Sequence, residues 1–508
     1  MEAQGNKCDG AWRDYAFFLA LALAFRLFLL FATPNIIDTA DAIHYIDTAK
    51  HLAAAEFREC DPKIPVLYPL LGAVVHRLVD DFEWACIVVS LIASTLLVVP
   101  LYALAREMHG RGAARIAALA VAIGPWFGDY AGRVGPDALG CTLWFASIVL
   151  LARGLRRGRG WLAAAPWAFF ALHLTRPEGT VLVAASVGAA LLLCAGSDNR
   201  KLLRLVPFVA MCAVLLALNI LVNRAITGQA TANVRTQIAL SEMDYVPMAA
   251  TGIKLFGEVL PIMLGPALLL FLGVGFFRPE HARRRDARLE LYVLYFAALQ
   301  LLAATVLMSP EPRYLMSVIA ALSIWSARGL VLVSVQAGEL RWGRWLRPLP
   351  AVFLVGLLLT GTATSVAADR FRGRPGAPLE YKAAGRWMKA HLEPGLIFTR
   401  KPQVGYYADM PTTGPDLDDT LEEAVRRARS VGARYIVIDE RYTVHMVPSL
   451  KPLLEPANAP AGLELLVELR PYPESKVVIY ELVGGKEGRE KAEFTRQETE
   501  SRSKRALP

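Results

Sequence analysis

The chain is poor in charge. Only 20% of its 508 residues are Asp, Glu, Lys or Arg, against 55% hydrophobic residues, and its mean hydropathy is +0.37. That balance excludes an ordinary soluble domain and fits a chain that crosses a bilayer repeatedly. Cysteine is scarce too. Cys8, Cys60, Cys86, Cys141, Cys194 and Cys212 are scattered with no CxxC pair, so neither a disulfide framework nor a cysteine-bound metal is expected. Most lie in or beside apolar runs, where Cys acts as a small hydrophobe. No small-residue cleavage site follows the apolar run 15–32, so it reads as a first span and not as a removable signal. A dense carboxylate–histidine pattern is missing as well, so no cofactor is expected and a divalent metal is not indicated. No repeat of fixed period is found.

What is present is a series of long apolar runs. Eleven can be read, at 15–32, 84–105, 116–127, 138–152, 161–174, 180–195, 205–221, 260–277, 289–308, 315–335 and 350–367. A spanning helix needs about 17–25 residues, and Trp or Tyr flank the shorter runs. The net charge of +9 does not point to nucleic acid, because its arginines sit in short turns between apolar runs. With the N-terminus inside, the turns holding Arg106, Arg111, Arg115, Arg153, Arg156, Arg157 and Arg283–Arg285 fall on one side, the pattern that sets topology. An odd number of spans puts everything after residue 367 outside. The expected architecture is a polytopic α-helical membrane protein of about eleven transmembrane helices, residues 1–369, with an outer loop at 33–83. An extracytoplasmic α/β domain follows at 370–484. Within it, helices are expected at 381–392 and 421–430, strands at 395–399 and 435–439, and a hairpin from 463–469 and 476–482. The charged tail 485–508 is expected to be disordered.

This topology gathers four polar groups on the outer face. The first loop carries Asp38, Asp41, His44, Tyr45 and Asp47; the second holds Asp129, Arg133 and Asp137; the third is Thr175-Arg176-Pro177-Glu178-Gly179; the fourth is Ser309-Pro310-Glu311-Pro312-Arg313-Tyr314. The opposite face offers mainly arginine turns. Such a set suits transfer of a group from a lipid phosphate. A carboxylate such as Asp41 takes the proton of an attacking hydroxyl or amine. Arginine offers a permanently charged fork to the departing phosphate, and Arg313 and Arg176 are the candidates. Each residue also has a plainer reading. Asp41 or Asp137 would serve as a helix cap, Arg176 and Glu178 would form a structural ion pair, and Arg313 would be an interfacial charge. His44 and His51 would lie on a helix surface, and His173 would be a core polar group.

On these residues the chain resembles the GT-C class of membrane glycosyltransferases, in the protein O-mannosyltransferase-like branch that includes bacterial lipid A aminoarabinose transferases. The family's Asp-Glu-x-x-Tyr motif is matched in part by Asp41-Ala42-Ile43-His44-Tyr45, with Ala49 and Leu52 following. Its Tyr-Pro corresponds to Tyr68-Pro69, its acid after the third span to Asp137, and its Arg-Tyr to Arg313-Tyr314. Ala42 stands where relatives have Glu, which weakens any inference that the acceptor is shared. The resemblance implies a sugar donor on polyprenyl phosphate, inversion at the anomeric carbon, and a glycan, lipid or protein acceptor. It also implies a site at a bacterial inner membrane. Asp41 would act as base, Arg313, Arg176 and Tyr314 would hold the donor phosphate, and Asp137, Glu178, Tyr45 and Tyr68 would position the acceptor. Helical segments at 49–55 and 67–78 would lie in the membrane interface. Two rival readings exist. A transporter of lipid-linked glycans predicts charges deep in spans along a pathway, and Arg26 and Arg328 are the obvious ones. A membrane scaffold does not need four polar groups on one face.

Overall fold

The computed structural model describes residues 11–33, 37, 39–176, 179–194, 205–227, 245–277, 287–306, 311–339, 345, 348–372, 379–472 and 475–483. Asp38, Glu178 and the tail 485–508 lie outside the described residues. The chain divides into two compact units. One comprises Met1–Thr33 with His44–Val366, the other Pro34–Ile43 with Ala367–Pro508.

The first unit is helical and is built for a bilayer. Helix α1 (Ala11–Ala32) contains no Gly or Pro, and its 22 residues reach about 33 Å, the thickness of a hydrocarbon core. Helix α2 (Ala40–Ala53) begins before the unit boundary and continues into this unit. The short helix α3 (Leu67–His76) follows, then α4 (Phe82–Leu96), α5 (Val98–Ile123), α6 (Pro125–Asp129), α7 (Asp137–Arg157), α8 (Arg159–His173) and α9 (Gly179–Cys194). Beyond these run α10 (Leu205–Thr227), α11 (Tyr245–Phe277), α12 (Ala287–Val306), α13 (Met316–Glu339) and α14 (Leu349–Arg372). Phe28, Phe31, Leu221, Ile262, Phe277 and Val352 face outward, an apolar surface that water would not tolerate. Inside, Ala113, Ala114, Ala117 and Ala118 of α5 are buried and let neighbouring helices approach closely.

Six helical stretches among the described residues are long and apolar enough to cross a membrane, seven if the two halves of α11, bent by 100°, form one broken span. Runs 84–105 and 116–127 both fall in the 42-residue stretch Phe82–Ile123, which is long enough to cross more than once and turns at Gly110, where φ is +84° and a side chain would be strained. Runs 161–174, 180–195 and 350–367 fall in apolar helices whose described residues are fewer than the length used to count a crossing. The chain is an integral membrane protein with multiple helical spans. On α3, Val66, Leu70, Val74 and Leu78 recur every fourth position and form one outward apolar stripe.

Arg26 is the most deeply buried charge in this unit. Its guanidinium donates to Ser94 Oγ at 2.6 Å and to the carbonyls of Ala22, Val121 and Ala122 at 3.0–3.3 Å. The last two carbonyls end α5, where the helix dipole favours a cation. Arg328 faces Glu290 at 3.6 Å. Both are held by fixed local partners, which differs from the row of charges a transport pathway would need.

The second unit is an α/β fold with a five-stranded sheet in the order β2-β1-β3-β5-β4. Helix α15 (Leu379–His391) leads into β1 (Ile397–Phe398), α16 (Pro402–Ala408) and β2 (Thr412–Thr413). Helix α17 (Leu421–Ser430), β3 (Tyr435–Asp439), a turn of helix α18 (Thr443–Met446), β4 (Leu463–Leu469) and β5 (Val477–Leu482) follow. Strand β1 lies parallel to β2 and β3, while β5 runs antiparallel to β3 and β4. The run Tyr-Ile-Val-Ile-Asp of β3 is buried along its whole length, because both faces of the sheet are covered. Ile436 and Ile438 pack with Ala424 and Ala428 of α17 on one face. Tyr435 and Val437 pack with Tyr381, Ala384 and Met388 of α15 on the other. A capping box between Thr420 and Glu423 starts α17. The expected helices and strands are found close to their sequence limits. Helix α16 and strand β2 were not read from the sequence, since seven- and two-residue elements carry too little periodicity.

Candidate active site

The first polar group is set by α2. The backbone N–H of Ala42 donates to Thr39 Oγ1 at 3.3 Å, so Thr39 caps the helix and Asp41 lies in its first turn without serving as the cap. Further along, Asp47 pairs with Lys50 at 3.2 Å, His44 faces Asp61 at 3.5 Å and His51 faces Glu56 at 2.9 Å, all on the solvent side. Among the described residues, no three His, Cys, Asp or Glu side chains are arranged to hold a metal ion.

Tyr45 and Tyr68 meet edge to face, with ring centroids 5.5 Å apart. The Tyr68 hydroxyl donates to the carbonyl of Cys86 at 2.9 Å, exchanges a hydrogen bond with Ser90 Oγ at 3.0 Å, and accepts the N–H of Gly135 at 2.9 Å. Burial pushes its phenol well above the ordinary range, so it stays protonated. Its hydroxyl is saturated by protein groups, and what it orders is the turn two residues before Asp137.

Asp137 opens α7 and forms an ion pair with Arg176, which follows α8; both side chains are only 8% exposed. The stem of Arg176 crosses α7 at Gly140. A Cβ there would lie 2.3 Å from Arg176 Cδ, so only glycine allows the crossing. On the other side, the guanidinium of Arg176 lies 4.9 Å from the ring centre of Tyr314, and that of Arg313 lies 5.3 Å from the same ring. Arg313 is paired with Glu311 at 2.7 Å, and Glu311 is 41% exposed. Asp137 of the second polar group, Arg176 of the third and Arg313 and Tyr314 of the fourth thus converge on one narrow, nearly filled cleft, although three separate segments supply them. The fourth position of the third group, Glu178, is outside the described residues.

The cleft also holds residues that sequence reasoning passed over. Gln300 of α12, Trp144 of α7 and Ser317 of α13 line it. Gln300 had a signal, since an amide in the middle of an apolar run is costly unless used. Trp144 and Ser317 had none, because both residue types are common in spans. A second, apolar cleft of about 210 Å³ lies among α5, α6, α11, α13 and α14, lined by Trp126, Phe127, Ile262, Leu268, Leu354 and Leu358 among others.

Residues 63–222 match the family of dolichyl-phosphate-mannose-protein mannosyltransferases. No curated protein sequence matches the chain. Among solved structures, ArnT from Cupriavidus metallidurans in its apo state is similar at TM-score 0.60 and 16% identity, over 93% of this chain and 99% of that one. The oligosaccharyltransferase of Archaeoglobus fulgidus, tethered to an acceptor peptide, is similar at TM-score 0.59 and 14% identity, over 84% of this chain and 69% of that one. The mycobacterial arabinofuranosyltransferase AftD is similar at TM-score 0.50 and 16% identity, over 92% of this chain and 42% of that one. Residues 63–222 thus carry a mannosyltransferase-family match, and the chain shares the fold of these membrane glycosyltransferase structures along most of its length.

Proposed function

We propose that this protein transfers a sugar from a polyprenyl-phosphate donor to an acceptor, with inversion at the anomeric carbon. The convergence of Arg176 and Arg313 on one tyrosine ring is the observation that carries this reading, because two permanent cations in one half-buried cleft suit a phosphate. Arg313 is the donor-phosphate ligand. Its partner Glu311 is half exposed and can yield its place to a phosphate oxygen, whereas Asp137 is buried and holds Arg176 in orientation. Tyr314 fixes the spacing of the two guanidinium groups. Asp41 takes the proton from the acceptor as its oxygen or nitrogen attacks the anomeric carbon. The sugar–phosphate bond breaks on the opposite face, and polyprenyl phosphate leaves with its new charge stabilised by arginine. No cofactor enters this scheme.

The lipid chain would occupy the apolar cleft at Trp126 and Leu354. Support comes from relatives of the same fold. ArnT has been captured bound to undecaprenyl phosphate, and the archaeal oligosaccharyltransferase with a dolichol phosphate and an inhibitory peptide. The arginine-rich turns favour an odd number of crossings, with the N-terminus cytoplasmic and the second unit on the outer side of a bacterial inner membrane. The apolar stripe on α3 suits a helix lying in the interface on that side. The acceptor is a glycan, lipid or protein.

The test is sugar transfer in membranes from a panel of radiolabelled polyprenyl-phosphate sugars, wild type against Asp41→Asn at equal expression. Loss of transfer by about 10²–10⁴-fold is expected for removal of a general base. Equal transfer in both proteins would remove Asp41 from the mechanism.

A further inference from the structure

The loop that leads to Asp41 does not group with the membrane unit. Ile37 and Thr39–Ile43 group with the C-terminal unit, although more than three hundred residues separate them in sequence. The contact has a definite anchor. The backbone N–H of Ile37 donates to the hydroxyl of Tyr407 at 2.9 Å, and this bond is buried. Ile37 is wholly buried, and Tyr407 of α16 is nearly so. The Tyr407 ring is held from two sides, by the ammonium of Lys382 at 4.9 Å and by the edge of Tyr406 at 5.2 Å. Four residues separate Ile37 from Asp41, at most about 14 Å of chain. Thr39 caps α2 within that interval. Hydrogen bonds at Ile37 and Thr39 therefore fix the entry into the helical turn that carries Asp41, and the first of them belongs to the C-terminal unit.

We propose that Tyr407 is a positioning residue for Asp41, so that the C-terminal unit contributes to the reaction by fixing the loop from which the base acts. This inference rests on the reading of Asp41 as base. Its physical content is orientation. A base held at the right distance and angle gains rate without tighter substrate binding, and small misplacements are costly. Tyr407 touches no substrate in this account; it acts through Ile37.

The test uses the full-length protein in nanodiscs and three variants. Tyr407→Phe keeps the ring and its packing but removes the acceptor oxygen. Lys382→Met loosens the same ring without touching the hydroxyl. Asp41→Asn tests the base. Two quantities are read: hydrogen exchange of the amides at 37–43, and transfer from the same panel of radiolabelled polyprenyl-phosphate sugars. For Tyr407→Phe, exchange at Ile37 should rise at least about tenfold, and kcat should fall about tenfold with KM for the lipid donor and Tm unchanged. Lys382→Met should leave kcat within about twofold. Unchanged exchange at Ile37 would overturn the proposal, as would unchanged kcat, or a loss of kcat matched by an equal loss of Tm. Full turnover in Asp41→Asn would sink the reading of the base instead, and the exchange data would still report on the tether by themselves.

Discussion

The two ends of α7 handle charge in opposite ways. At its N-terminal end, one buried acid meets one buried arginine, and a second arginine joins it across the Tyr314 ring. At its C-terminal end, acids are surrounded. Glu107 faces Arg153 at 2.7 Å, Arg157 at 3.2 Å and Arg156 at 4.0 Å. Nearby on α5, Arg111 and Arg115 converge on Asp14, with the Tyr102 hydroxyl donating to it at 2.6 Å. Those arginines are about half exposed, so solvent and salt weaken their pairs. An arginine count alone therefore points to the wrong end of the helix for chemistry. What marks the other end is burial of the guanidinium and a partner, Glu311, that can be displaced.

Five substitutions sharpen that contrast, in falling order of effect. Arg313→Ala should reduce sugar transfer by about 10²–10³-fold, the scale for losing a donor aimed at developing charge, while Arg115→Ala changes it by less than about twofold. Comparable losses from both would erase the distinction between the two ends. Asp137→Asn should lower stability by about 3–5 kcal/mol, because it strands the buried charge of Arg176, and denaturation of the purified protein reads this directly. A double variant, Asp137→Asn with Arg176→Met, should regain much of the stability without regaining turnover. Asp14→Asn should weaken the far end yet leave transfer per folded molecule within about twofold, as kcat normalised to folded protein would show.

The smallest effect is expected outside the membrane, in the C-terminal unit. Glu380 of α15 is almost completely buried, with Arg441 standing off at 3.4 Å. Burial pushes its carboxyl above the ordinary range, and Arg441 only partly opposes that. A raised acid favours the folded state when protonated, and that contribution is lost as pH rises through the folded pKa. Glu380→Gln should therefore raise Tm at neutral pH, and the gain should shrink as pH falls into the usual carboxylate range. A gain independent of pH would mean that charge is not the cause.

Much of the fold could be read from residue types. Long runs of Leu, Ala and Phe mark a membrane chain, and 435–439 reads as a strand that the structure then buries along its whole length. Six stretches among the described residues pass as crossings by length and composition, and one of them, Phe82–Ile123, takes in two of the eleven runs with a turn at Gly110 between them. At the site, Asp41, Asp137, Arg176 and Arg313 stood out by charge in an apolar chain. Gln300 carried a weaker signal of the same kind. Tyr68 was legible as a motif residue, but its work in holding Gly135 was not, since it depends on α3 and α4 packing side by side.

The sequence by itself determined that this chain lives in a membrane, that an α/β domain follows the apolar runs, and which charged side chains lie at helix ends. Hydropathy and charge are properties of residues, and they act before any contact forms. The tertiary structure decided which of those side chains meet. Arg176 reaches Asp137 and Tyr314 because Gly140 leaves room on α7 and α8 ends beside it. Ile37 reaches Tyr407 because α16, which links β1 to β2, presents that hydroxyl to it. Pairings between distant segments depend on packing geometry, and no local pattern encodes that.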